Sequence, residues 1–321
     1  MAKDEIVVAG LTHQGMVRKD NQDSYGSVVP EKPEILDQRG RLFIVADGLG
    51  GHRGGQVASR MAVDIIRNIY YSTEQKPIYP ALLKALETAN SGIFESSSKN
   101  EDLQGMATTC TVLVVKGSNL YMAHVGDSRA YLVRDGAIKQ LSTDHTLVEE
   151  MVHSGIINEE EARSHPDSHI LTRSLGILPS VEVDILEPPL QLLPGDLLMQ
   201  CSDGLTTYLE SDEILKVMLE NSPEQACRVF IETANERGGR DNITTQIVQV
   251  VSCVQEAPTL LEDTQPLFGH TDKILGKTAP VKFDEPASSE GQTRSEIAWA
   301  GLFYILYIIG LLAYFYYVYK S

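Results

Sequence analysis

Five aspartates are candidate metal ligands, and four of them lie beside short apolar runs that have the length of β-strands. Asp47 and Asp203 each follow such a run and precede a glycine, and Asp127 lies in a turn after a glycine. Asp241 precedes a later run, and Asp23 lies in an early polar segment. A carboxylate at a strand end can point into a cleft from a rigid base. Converging carboxylates repel one another unless cations lie between them, and such hard oxygen ligands suit Mg²⁺ or Mn²⁺.

A single Asp-Gly pair carries little information, because it is also a common turn dipeptide. Asp135-Gly136 follows Arg134 between two apolar runs and is best explained as the turn of a hairpin. The prediction of a metal site therefore depends on the whole set of aspartates and on no one of them.

The elements that must position these aspartates are short strands in hairpins together with a few amphipathic helices. Apolar runs predict strands at residues 42–46, 109–115, 120–125, 130–133, 197–201 and 243–251. Apolar residues at helical spacing predict helices near residues 57–69, 82–93, 214–219 and 223–236, with Gly238-Gly239 ending the last one. Grouped strands and separate helices indicate an α+β fold of packed antiparallel sheets with helices outside.

The composition excludes some classes of protein. The chain has 321 residues, and 27 Lys and Arg against 44 Asp and Glu give a formal net charge of −17. This acidity argues against a nucleic-acid partner. The four cysteines form no CxxC pair, and the first residues lack the apolar core of a signal peptide, so we expect the N-terminal part to lie in the cytoplasm.

The end of the chain differs from the rest. Ile297–Tyr319 contains no charged residue and, as a helix, would span about 34 Å, which exceeds the ~30 Å hydrocarbon core of a bilayer. Trp299 near one end and tyrosines near the other suit membrane interfaces. We therefore predict a single C-terminal transmembrane helix at residues 297–319, a flexible linker at 252–296, and one domain at 1–251 that stays on the cytoplasmic face.

Eight short motifs in the first 251 residues resemble those of the metal-dependent protein phosphatases, the PPM or type 2C family, and specifically its bacterial branch. They occur in the family's order and are RKDNQD at 18–23, VADGLGGH at 45–52, GMATT at 105–109, HVGDSR at 124–129, LSTDH at 141–145, LTRSLG at 171–176, CSDGL at 201–205 and GRDNI at 239–243. The resemblance implies a four-layer sandwich of two packed antiparallel sheets flanked by helices. It also implies a binuclear Mn²⁺ or Mg²⁺ centre that hydrolyses phosphoserine and phosphothreonine in proteins.

The resemblance also implies metal ligands. Asp47 would bridge two metals, and the Gly48 carbonyl would be a further ligand. Asp23 would serve one metal directly or through water, while Asp203 and Asp241 would complete the other. Asp127, together with Asp203, would hold a third and weaker metal of the bacterial members.

Two further residues receive roles in catalysis from the resemblance. Arg18 would bind the substrate phosphate, for which a forked and permanently charged guanidinium is suited. His52 would donate the proton to the leaving alkoxide, a task that suits a group with a pKa near 6.5. The sequence departs from the eukaryotic pattern in two places: Gln22 stands where many members have Glu, and His52 follows Asp47-Gly48 only after three more residues. The reaction would then use a metal-activated water for in-line attack on the phosphorus atom.

Several histidines lie in the segment 145–180, and the resemblance implies that this segment forms a flap beside the cleft. His145 is expected to cap a helix that begins near Thr146, whereas His153, His165 and His169 are expected to be solvated. Two alternatives to the membrane-tethered phosphatase stay open, namely a catalytically silent phosphoprotein-binding module and a hydrolase of small phosphorylated metabolites. The expected partners are phosphorylated proteins, targets of a cognate Ser/Thr kinase, and the membrane.

Overall fold

The computed structural model describes residues 5–50, 53–163 and 165–253. The strands are β1 (Glu5–His13), β2 (Ser24–Val28), β3 (Arg41–Ala46), β4 (Gly48–Leu49), β5 (Ala107–Thr108), β6 (Cys110–Lys116), β7 (Asn119–Val125), β8 (Arg129–Arg134), β9 (Ala137–Gln140), β10 (Asp184–Ile185), β11 (Leu190–Gln191), β12 (Leu197–Cys201) and β13 (Ile243–Ser252). The helices are α1 (Pro33–Arg39), α2 (Gly54–Ser72), α3 (Ile78–Lys99), α4 (Leu147–His153), α5 (Glu159–Arg163), α6 (Asp203–Thr206), α7 (Ser211–Glu220) and α8 (Pro223–Glu236), with a short 3₁₀ turn at Glu101–Leu103.

The strands form two larger antiparallel sheets. Sheet 1 has the order β1-β13-β12-β8-β9, and sheet 2 has the order β10-β7-β6-β3-β2 with β11 also paired to β7. The neighbours within sheet 2 are likewise antiparallel. Strands β4 and β5 form a separate two-stranded ribbon. The chain passes from sheet 2 to sheet 1 at the β7–β8 turn, which contains Asp127.

Three apolar cores separate four layers. The first lies between sheet 2 and the pair α2 and α3, and the second lies between sheet 1 and α6, α7 and α8. The third lies between the sheets, where Phe43 and Leu113 of sheet 2 pack with Leu132 and Leu198 of sheet 1. Layers in the order helix, sheet, sheet, helix confirm the predicted α+β sandwich.

The position of β3 between two of these cores explains its continuous apolar run. Leu42 and Ile44 face the helices α2 and α3, while Phe43 points between the sheets. Because successive side chains of a strand point to opposite faces, a strand that is covered on both sides needs apolar residues at every position. The same alternation in β12 directs Met199 to the helices and Leu198 to the other sheet.

The predicted turns and helix end are also found. Asp135 and Gly136 both have positive φ, as a two-residue hairpin between β8 and β9 requires. Helix α8 ends before Gly238 and Gly239, where the N–H of Gly239 donates to the carbonyl of Ala234. The predicted linker 252–296 lies outside the described residues apart from Ser252 and Cys253, and the predicted transmembrane helix 297–319 lies wholly outside them. No described helix is long and apolar enough to span a membrane.

Candidate active site

One end of the sandwich carries most of the predicted site residues, because the strands of both sheets end there. Asp47 follows β3, and Asp127 lies between β7 and β8. Asp203 opens α6 after β12, and Asp241 directly precedes Asn242 and β13. These four carboxylates line one cleft of about 460 Å³, and the cleft is also lined by the other predicted residues Arg18 and Gly48.

Asp23 lies behind this cleft and is only 7% exposed. Its Oδ2 accepts hydrogen bonds from Ser202 Oγ at 2.8 Å and from Thr244 Oγ1 at 2.6 Å. Its Oδ1 is buried and has no hydrogen-bond partner. A buried carboxylate oxygen without a donor is costly in free energy, and the free lone pairs of Oδ1 suit a cation or a cation-bound water.

The carboxylates of this cluster raise one another's pKa values. Asp47 lies within hydrogen-bonding reach of both Asp23 and Asp203. Burial raises the pKa of Asp47 well above its usual range, and the charges of the neighbouring aspartates raise it further. Burial also raises the pKa of Asp23 to about 6, against hydrogen bonds that lower it. The pKa values of Asp127 and Asp203 are raised as well, first by burial and then by a neighbouring carboxylate. Such a cluster disfavours its own ionised form unless positive charge enters it.

Two glycines permit the close approach of the loops that carry these aspartates. A Cβ atom at Gly48 would lie 2.1 Å from the carbonyl oxygen of Gly55, at the start of α2. A Cβ atom at Gly204 would lie 2.0 Å from the carbonyl oxygen of Asn242. Both distances are far below van der Waals contact, so a side chain at either position would push apart the loops that form the cleft.

Buried hydroxyl groups fix the Asp47 and Asp127 loops to each other. The N–H of Asp47 donates to Thr109 Oγ1 at 2.9 Å, and Thr109 Oγ1 lies 2.8 Å from Ser128 Oγ. Thr108 Oγ1 donates to the carbonyl of Asp47 at 2.8 Å. Thr108, Thr109 and Ser128 are all 0% exposed, so no water competes for these bonds. The backbone beside each carboxylate is therefore preorganised.

Arg18 is positioned through Asp241. Its guanidinium donates to Asp241 Oδ2 at 2.7 Å, and the two side chains are 53% and 38% exposed. Asn242 fixes the loop that carries Arg18, because its amide group donates to the carbonyls of Gln14 and Asp20, both at 3.0 Å. The sequence motif that contains Asn242 did not predict this role, since the partners of Asn242 lie more than 200 positions away.

The oxygen donors of the cleft fit a divalent cation in their chemistry. Among the residues that the structure describes, no three His, Cys, Asp or Glu side chains form a ready ligand cluster. The cleft nevertheless offers four carboxylates, a glycine carbonyl and, behind them, the unpartnered Oδ1 of Asp23. These are all hard oxygen donors, which Mg²⁺ and Mn²⁺ prefer and which leave room for bound water.

The histidines differ in part from the expectations. His52, the predicted proton donor, lies outside the described residues. His169 was expected to be solvated; it is exposed, and it also lines the cleft, where it lowers the pKa of Asp203, which burial raises. His145 was expected to cap α4, and this was wrong: Thr146 is the N-cap, and its Oγ1 accepts from the N–H of Glu149 at 3.3 Å.

The arrangement of fold and cleft agrees with comparisons to known proteins. The sequence model of the family described as protein phosphatase 2C matches residues 18–248. The chain belongs to the protein phosphatase 2C family. The chain is therefore a protein-serine/threonine phosphatase, and metal dependence is a property of this family.

Several bacterial members of the protein phosphatase 2C family are similar over most of the chain. The serine/threonine phosphatase stp of Listeria monocytogenes serotype 4b is 39% identical over 245 residues, which cover 74% of this chain and 93% of that protein. The crystal structure of the Streptococcus agalactiae serine/threonine phosphatase is 37% identical with a TM-score of 0.70, covering 77% of this chain and 100% of that one. A structure of the PstP catalytic domain in complex with two manganese ions is 30% identical with a TM-score of 0.65, covering 77% and 99%.

Proposed function

We propose that the chain hydrolyses phosphoserine and phosphothreonine in proteins through a binuclear Mn²⁺ or Mg²⁺ centre in this cleft. The observation that supports this most is the convergence of Asp47, Asp127, Asp203 and Asp241 from both sheets on one cleft that also contains Arg18. A set of carboxylates that raise one another's pKa is expected where cations bind.

Each proposed ligand has a position that suits its role. Asp47 would be the ligand shared by the two metals, in agreement with its interactions with both Asp23 and Asp203, and the Gly48 carbonyl would add a further ligand. Asp203 and Asp241 would hold one metal, and Asp23 would serve the other through its unpartnered Oδ1. Asp127 would hold a third and weaker ion together with Asp203. When bound, the ions would supply Lewis-acid activation of water and neutralise charge on the phosphate.

The protein's own contribution is to bind and orient the phosphate and to supply a proton. Arg18 lies on the cleft wall, and its guanidinium has five N–H donors, of which the bond to Asp241 uses one, so it can also contact phosphate oxygens. Asn242 and the buried Thr109 hold the backbone of both sides of the cleft in place. His52 is proposed to protonate the leaving alkoxide, and this role rests on the motif alone.

The decisive test is release of phosphate from a phosphothreonine peptide by the full chain with Mn²⁺, with a chelator, and for Asp203→Asn. We expect activity only with the metal and a loss of at least about 100-fold in Asp203→Asn. Asp212→Asn, which removes an exposed carboxylate at the start of α7, should retain full activity. Equal rates with and without metal would refute the proposal. Absence of activity in every condition would instead favour the silent phosphoprotein-binding module.

The role of His52 has its own test. His52→Ala should slow hydrolysis of an alkyl phosphate more than that of an aryl phosphate, because a good leaving group needs little protonation. An equal loss on both substrates would count against proton donation. A screen of small phosphorylated metabolites against the same enzyme would separate the protein phosphatase from a metabolite hydrolase.

We also propose that residues 297–319 tether the phosphatase to a membrane with its catalytic domain on the cytoplasmic face, near the substrates of a cognate Ser/Thr kinase. The support is the uncharged run of 23 residues from Ile297 to Tyr319. A chain that lacks residues 297–321 should move to the soluble fraction and keep its activity on a peptide. Continued association with the membrane fraction would contradict the tether.

A further inference from the structure

His145 holds the turn that carries Asp127 through two hydrogen bonds to one residue. The N–H of Gly126 donates to Nδ1 of His145 at 3.0 Å, and the carbonyl of Gly126 accepts from the N–H of His145 at 2.8 Å. Because Nδ1 accepts a hydrogen bond, the ring hydrogen is on Nε2. His145 is only 5% exposed, so both bonds are shielded from water.

The other nitrogen of the same ring contacts Asp184. Nε2 of His145 lies 3.1 Å from Oδ2 of Asp184, whose Oδ1 accepts from Arg173 at 2.8 Å. The N–H of Thr172 donates to the carbonyl of His145 at 2.9 Å. His145 is therefore bonded both to the Asp127 turn and to Thr172, which directly follows the cleft-lining residue Leu171.

The Asp127 turn is also supported by Thr109. Gly126 has φ of +110°, and a Cβ atom there would lie 2.5 Å from Cβ of Thr109, so the turn packs closely against this residue. Ser128 contacts Thr109 too, through hydroxyl oxygens 2.8 Å apart. Within the part of the chain that the structure describes, the Gly126 backbone forms its hydrogen bonds with His145.

We propose that His145 is a positioning residue for Asp127, and that through Asp184 and Arg173 it fixes the Asp127 turn relative to the cleft-lining segment 169–171. The cleft is lined by Asp127, His169 and Leu171, and His145 bonds to Gly126 beside Asp127 and to Thr172 beside Leu171. The inference rests on the proposed function in one respect, the assignment of Asp127 to the weaker metal. Groups that orient a ligand in this way strongly affect metal affinity.

Two substitutions test the contacts of the two ring nitrogens of His145 separately. In His145→Asn the side-chain oxygen can replace Nδ1 as the acceptor for Gly126, while the contact with Asp184 is lost. In His145→Gln the amide nitrogen can reach Asp184, while no acceptor is placed for Gly126. The readout is direct Mn²⁺ binding to the full chain by calorimetry, with Asp127→Asn identifying the binding event that belongs to the weaker site.

We expect His145→Gln to weaken the event that depends on Asp127 by about tenfold and to leave the tighter events unchanged. His145→Asn should stay within about threefold of the wild type. His153→Asn, at an exposed position at the end of α4, should match the wild type. Unchanged affinity in His145→Gln would overturn the proposal, and so would a greater loss in His145→Asn than in His145→Gln.

A second variant avoids the buried position, where a substitution can prevent folding. Asp184→Ala removes a carboxylate that is 44% exposed and leaves both bonds to Gly126 possible. We expect a loss of about threefold in the affinity of the weaker site and a shift of equal size in the Mn²⁺ concentration needed for half-maximal peptide hydrolysis. If Asp184→Ala changes neither the affinity nor this Mn²⁺ concentration, the proposed role of Asp184 in connecting His145 to the cleft-lining segment 169–171 is overturned.

The same titrations distinguish an error in the assignment of Asp127 to the weaker metal from an error in the role of His145. If Asp127→Asn removes no binding event, the assignment of Asp127 is wrong and the role of His145 falls with it. If Asp127→Asn removes one event and neither His145→Gln nor Asp184→Ala weakens that event, only the role of His145 is overturned.

Discussion

Replacing Asp23 by asparagine should stabilise the metal-free protein while reducing its phosphatase activity. The pKa of Asp23 is raised from 3.8 to about 6, chiefly by burial. The difference of about two pKa units corresponds to about 3 kcal/mol, at ~1.4 kcal/mol per unit, that the ionised carboxylate subtracts from the stability of the fold at neutral pH.

An asparagine at this position can keep the favourable contacts of Asp23. Its side-chain oxygen can accept from Ser202 and Thr244, and its NH₂ group would occupy the position of Oδ1, which is buried without a hydrogen-bond partner. Allowing for the burial of the amide, we expect a gain of about 1–3 kcal/mol. For a domain of this size the gain corresponds to an increase of about 2–12 °C in Tm.

The assay is thermal unfolding of both proteins with a chelator and again with saturating Mn²⁺. The gain should shrink or reverse with Mn²⁺, because the metal stabilises the protein that binds it more tightly. Without metal, the gain should be larger near about pH 7.5 than near about pH 5, because the cost of the charge is absent below the unfolded-state pKa of 3.8, grows as the pH rises from there to about 6, and is complete only above the folded-state pKa.

The matched control is Asp20→Asn, which removes an exposed carboxylate from the same loop and should change stability by less than about 0.5 kcal/mol. A metal-free Asp23→Asn protein that unfolds at a lower temperature than the wild type would refute the reasoning. So would a gain of equal size in Asp20→Asn, because it would then reflect only the net charge of the protein.

Three other substitutions have equally direct expectations. Gly204→Ala places a Cβ atom 2.0 Å from the carbonyl of Asn242, and we expect a loss of about 1–3 kcal/mol in chemical unfolding together with a loss of activity; normal values for both would contradict the close approach. Arg134→Ala leaves the carboxylate of Asp196, which is 2% exposed, without its bidentate partner, and should cost about 3–5 kcal/mol in urea while kcat of the folded enzyme stays unchanged. Arg18→Lys should raise KM for a phosphothreonine peptide about tenfold with less effect on kcat, because a lysine cannot form the forked contact, and a change in kcat alone would contradict phosphate binding.

The sequence predicts the layers of this fold well where a strand is covered on both faces. The predicted runs 42–46 and 197–201, which form most of β3 and all of β12, are apolar apart from the buried Gln200, because each strand lies between two cores. Strand β1 was not predicted, although its sequence contains the apolar run Ile6-Val7-Val8-Ala9. It lies at the edge of sheet 1, and Val7 is 43% exposed, so this run does not mark a strand that is covered on both faces.

In the site too, local sequence motifs identify residues, whereas contacts between residues far apart in the sequence are not predicted. The motifs locate Asp47, Asp127, Asp203 and Asp241 because each carboxylate is next to its own strand end. They do not show that one oxygen of Asp23 is already taken, since its partners are 179 and 221 positions away. The error at His145 is of this kind too, because a histidine before a helix suggests a local cap, whereas its ring bonds to a residue 19 positions earlier.

The position of the last described strand inside sheet 1 has a consequence for folding during synthesis. Strand β13 lies between β1 and β12 in sheet 1, and Asp241 comes just before it. While the chain is being synthesised, the first strand of the domain and β12 must therefore wait for the final segment to join them. Until that segment has left the ribosome, sheet 1 is incomplete and the cleft lacks one of its carboxylates. We therefore expect a nascent or prematurely ended chain to lack phosphatase activity until β13 has joined sheet 1.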